Sequence, residues 1–108
     1  MNIHILISCL VLLETGTGLR PHDGVGCLSI HRAALRDYNR HAACRVEMDD
    51  LQDPECSVEV ARVLIEDVWR VKGAERIGSR WVSGKARSWA GRDYGRRLRN
   101  LYAERAGG

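Results

Sequence analysis

The stretch DDLQDPECSVEVARVLIEDVWRVK, residues 49–72, decides the fold. Asp53 stands where a helix N-cap belongs, Pro54 suits the first helical position, and Glu55 meets the positive end of the helix dipole. Val58, Val60, Ala61, Val63, Leu64, Ile65, Val68, Trp69 and Val71 then cover much of the circumference instead of one stripe. A helix apolar on so many sides is central and packed by several others. The pattern predicts one helix running from Pro54 to about Lys72, with Gly73 positioned to stop it.

Downstream, a short helix is predicted over residues 74–81, then a Ser/Gly/Lys-rich connection over 82–88. The last helix is predicted to start near Ala90, with Tyr94, Leu98, Leu101 and Tyr102 as its apolar stripe and Arg92, Arg96, Arg97 and Arg99 around it. Residues 103–108 read as a frayed tail. Upstream, SIHRAALRDYNRHAAC, residues 29–44, has Ile30, Ala34, Leu35 and Tyr38 at helical spacing. Residues 14–26 hold four Gly and a Pro and read as a loop. Nothing alternates strictly, so no sheet is expected. The sequence therefore predicts an all-α fold, a single small helical domain over residues 1–108.

Residues 3–13, IHILISCLVLL, are too short to span a bilayer, which takes about 20 apolar residues. Their length suits the core of a secretory signal, and a signal over 1–18 would remove Glu14. No Lys or Arg precedes the run and no small-x-small cleavage site follows it, so a buried helix ending at Glu14 is the favoured reading.

The formal charge is +3, unevenly placed. Residues 1–69 carry 6 basic and 11 acidic side chains, and residues 70–108 carry 11 basic and 3 acidic ones. A basic C-terminal third suits an anionic partner such as a cell-wall polymer, nucleic acid or membrane surface, and equally a solvated helix face. The four cysteines, Cys9, Cys27, Cys44 and Cys56, do not settle the redox compartment. Cys27 with His31 and His41 with Cys44 form ligand pairs too far apart along one predicted helix to share a zinc ion. No metal and no cofactor is expected.

In chain order, an apolar helix ends in Glu14-Thr15-Gly16, and Gly26-Cys27-Leu28-Ser29-Ile30 opens the next helix. Asp53-Pro54-Glu55 begins the buried one, Trp81-Val82-Ser83-Gly84 follows, and Tyr94 leads a terminal Arg-rich helix. This order resembles the lysozyme-like domain of the lytic transglycosylases and goose-type lysozymes, in their short phage-type or bacterial versions, over residues 2–102. The resemblance implies cleavage of the MurNAc-GlcNAc β-1,4 bond of peptidoglycan with Glu14 as general acid and then base. It implies glycan contacts at Ser29, Trp81 and Tyr94, and Asp23 as a candidate to position water if the product is hydrolytic. The implied partner is the peptidoglycan glycan strand, met by a monomer in the periplasm, at the cell wall or after phage delivery. Ser29 stands in the family's Gln position and Val82 in its Asn position. A member that binds glycan without cleaving it is thus one alternative. A basic helical nucleic-acid binder is another, although no zinc-finger, RNP or basic-zipper pattern is present.

Overall fold

The computed structural model describes residues 1–16, 26–85 and 88–107, and every regular element among them is helical. The helices are α1 (Ile3–Gly16), α2 (Arg32–His41), α3 (Pro54–Val63), α4 (Ala74–Ser83) and α5 (Arg92–Gly107). A 3-10 turn over Met48–Gln52 precedes α3, and a π-helical turn over Leu64–Trp69 follows it. The all-α expectation is met. No helix among the described residues is long and apolar enough to cross a membrane. The chain divides into two units, one of residues 14–70 and one of residues 1–13 with 71–108.

In the unit of residues 14–70, short polar side chains fasten backbone. Asp53 Oδ1 accepts from the Glu55 N–H at 3.0 Å and Pro54 begins α3, as the sequence predicts. The Asn39 amide clamps the chain after α2: its Nδ2 donates to the Val46 carbonyl at 2.8 Å and its Oδ1 accepts from the Val46 N–H at 2.9 Å. Glu47 and Asp50 form a reciprocal capping box on the 3-10 turn. Fully buried Ser57 donates to the Leu51 carbonyl at 2.5 Å. Gly26, at φ +80°, lies so close to that carbonyl that a Cβ would collide with it, and its conformation also favours glycine. Among the described residues of this unit, Leu28, Ile30, Leu35, Leu51, Val60, Ala61, Leu64 and Ile65 are the buried apolar side chains.

Two predicted boundaries shift here. The second helix begins at Arg32, and Ser29 sits before it in a turn with φ +50°, its N–H donating to the Gly26 carbonyl at 3.1 Å. The central helix does not run to Lys72. It leaves α geometry at Leu64 and ends at Trp69, with Arg70 left-handed at φ +54°. Trp69 Nε1 donates to Asp37 Oδ2 at 3.0 Å, which ties the last turn to α2. Arg70 Nε donates to the Asp67 carbonyl at 3.3 Å and covers one of the end carbonyls that a finished helix leaves open.

In the unit of residues 1–13 and 71–108, α4 and α5 touch almost backbone to backbone. A Cβ on Gly78 would lie 2.8 Å from Gly95 Cα, and one on Gly91 would lie 2.6 Å from Ser79 Oγ. A Cβ on Gly95 would collide with the Glu75 carbonyl. Gly91 and Gly95 are one helical turn apart, so they present a single bare face to Glu75, Gly78 and Ser79. Arg99 Nη1 bonds Glu75 Oε2 at 2.8 Å beside the crossing. In α1, Asn2 Oδ1 accepts from the N–H groups of His4 and Ile5 at 3.0 and 3.2 Å, and the Asn2 N–H donates to the Tyr102 hydroxyl at 2.7 Å. Leu6, Ile7, Cys9 and Leu10 are buried, as expected of a buried N-terminal helix. α4 extends to Ser83, and α5 continues through residues 103–107, past the fray expected after Tyr102.

Candidate functional site

Glu14 lies on the last turn of α1 and is half-buried. The run of apolar residues before it forms a helix because its branched and straight aliphatic chains carry no breaker, and Asn2 caps its start. Ser29, in the same unit as Glu14, is 2% exposed. Trp81 and Tyr94 belong to the other unit. Trp81 is 7% exposed on the last turns of α4, and Tyr94 is half-buried near the start of α5. Asp23 lies outside the described residues.

The cysteines are unbridged. Burial pushes the Cys9 thiol up, against a smaller opposing pull from Arg105. Burial also pushes up Cys56, helped by the negative charges of Asp50 and Asp53. A raised thiol is a poor nucleophile at neutral pH, so neither is a candidate for covalent chemistry. No group of three or more His, Cys, Asp or Glu side chains among the described residues is arranged to hold a metal ion.

The unit of residues 1–13 and 71–108 also holds an open cleft of about 440 Å³, lined by Lys72, Gly73, Glu75, Arg76, Ser79, Ser88 and Arg92. Gly73, at φ +90°, turns the chain into α4 so that the start of that helix faces the cleft. Two seryl hydroxyls shape its wall: Ser79 Oγ donates to the Lys85 carbonyl at 2.8 Å, and Ser88 Oγ accepts from the Gly91 N–H at 3.1 Å. The Arg92 guanidinium lies 4.9 Å over the centre of the Trp89 ring, and Trp89 is 85% exposed. The basic balance of residues 70–108 announces the sign of this surface. It does not say where Lys72, Arg76 and Arg92 meet, because they come from a link and two helices.

Comparison with protein-family models, curated proteins and solved structures finds no match.

Proposed function

We propose that this chain is a lysozyme-like glycosidase acting on peptidoglycan, with Glu14 as its general acid and base. The observation that supports the reading is the setting of Glu14: half-buried, on the final turn of an apolar helix, and followed by Thr15-Gly16. In the reading that the resemblance implies, this carboxyl is the proton donor to the glycosidic oxygen. The Asp53-Pro54 start of α3, in its expected place, adds the ordered landmark on which the resemblance leans.

In this mechanism the Glu14 carboxyl protonates the bridging oxygen as the bond to the MurNAc anomeric carbon breaks. The substrate's own N-acetyl oxygen supports that carbon in place of a second carboxylate. The Glu14 carboxylate then removes the proton of the MurNAc 6-hydroxyl, which closes the 1,6-anhydro ring. A water in that second step gives the hydrolytic product instead, and Asp23 is the candidate to position it.

Clearing of a cell-wall suspension tests the reading. Wild type is expected to lower turbidity, and Glu14→Gln to lose the activity by roughly 100-fold or more while keeping its helical circular dichroism. Mass spectrometry of released fragments separates anhydro from hydrolytic ends. The residue types favour a second reading, a domain that binds glycan without cutting it: Ser29 and Val82 stand where the family has Gln and Asn. Sedimentation with purified walls and no clearing by either protein would establish that reading over the first.

A further inference from the structure

We propose that the cleft beside α4 binds a phosphate ester, with the phosphate between Lys72, Arg76 and Arg92 and the ester's ring against Trp89. The proposal uses no residue of the catalytic reading and does not depend on it.

Charge comes first. Three cations and one carboxylate line the cleft. That carboxylate, Glu75, is engaged by Arg99 at 2.8 Å, so the cations meet little local neutralisation from it. The surplus matches a dianion better than a single carboxylate. Two guanidinium groups supply planar forks suited to phosphate oxygens, and Lys72 adds a mobile point charge. The start of α4 at Gly73 contributes in the same sense.

Size and edge then select the rest of the ligand. A cleft of about 440 Å³ has room well beyond an inorganic phosphate. Arg92 both lines the cleft and stacks on Trp89 at 4.9 Å, so the indole stands next to the charge. At 85% exposed, that indole still offers an open surface. Exposing a large apolar ring to water has a cost that a stacked ligand ring removes. Either a nucleobase or a sugar chair meets this requirement.

Titration of the full chain with inorganic phosphate, adenosine 5′-monophosphate and glucose 6-phosphate, followed by tryptophan emission and calorimetry, tests the assignment. At least one ester is expected to bind roughly tenfold tighter than inorganic phosphate, with quenching or enhancement of emission that Trp89→Ala removes. Tighter binding of the nucleotide identifies a base as the stacked ring, and tighter binding of the hexose phosphate identifies a sugar. Arg76→Gln is expected to weaken the preferred ester by roughly tenfold, and Arg76→Lys to recover part of the loss. Both side chains of the test, Arg76 and Trp89, are exposed, so the fold should survive their replacement. Three results would overturn the proposal: no saturable binding of either ester, equal affinity for esters and inorganic phosphate, or binding indifferent to Arg76→Gln.

Discussion

The two units are held by opposite means. In residues 14–70, polar side chains reach across to backbone: Asn39 to Val46, Ser57 to Leu51, Asp53 to the first turn of α3. In residues 71–108, the decisive contact between α4 and α5 depends on side chains being absent at Gly78, Gly91 and Gly95. The first arrangement fails when an atom is removed, and the second when one is added. A hydrogen-bonded clamp leaves backbone groups stranded on truncation. A bare crossing forces whole helices apart on enlargement.

The largest expected effect breaks the crossing. Gly95→Val should cost about 3 kcal/mol in a urea unfolding curve, because the added carbons run into the Glu75 carbonyl. A loss below about 1 kcal/mol would show that α4 and α5 separate easily and that the contrast between units is wrong. Next comes the clamp. Asn39→Ala should cost about 2 kcal/mol, since it removes both partners of the half-buried Val46 backbone. Asn39→Asp keeps the acceptor for the Val46 N–H and loses the donor to its carbonyl, so it should fall between wild type and alanine.

Caps sharpen the comparison by being common to both units. Asp53→Ala in one and Asn2→Ala in the other should each cost about 1 kcal/mol. Equal losses would assign the difference between units to the crossing and the clamp rather than to helix ends. The smallest effect is electrostatic. Glu59 is held by Arg62 through hydrogen bonds of 2.6 and 3.1 Å, which lower its carboxyl below the ordinary value against a smaller opposing push from burial. A depressed folded pKa gives stability that is present above the unfolded value and lost as pH falls through the folded one. The Glu59 side chain is 57% exposed, so solvent screens the pair. Its contribution should stay under about 0.5 kcal/mol, read as a slightly weaker acid dependence of the unfolding midpoint in Glu59→Gln.

How far the sequence could be read follows the range of each interaction. Asp53 and Pro54 act on the next few residues, so the start of α3 was legible. The end of the same helix was not. Trp69 bonds Asp37 from 32 positions away, and Arg70 takes a left-handed conformation that usually falls to Gly or Asn. Gly73 looked like the natural stop, yet it serves as the entry to α4. Ser29 heads the stretch that reads as helical, but its N–H bond to the Gly26 carbonyl holds it in a turn ahead of α2, which begins at Arg32. For the site, the apolar run gave α1 and put Glu14 at its end. Trp89 carries no periodic signal, because it lies between the connection and the start of α5.

What the sequence alone determined is helical content, the start of α3, the apolar character of α1 and the basic balance of the C-terminal third. These rest on local backbone preference, on periodicity and on composition, which need no knowledge of neighbours. Only the tertiary structure decided that Gly78, Gly91 and Gly95 make one crossing, that the central helix ends at Trp69, and that Lys72, Arg76 and Arg92 line one cleft. Each of those depends on which residues distant in the chain come within a few ångströms, and steric exclusion, hydrogen bonding and charge act only at that range.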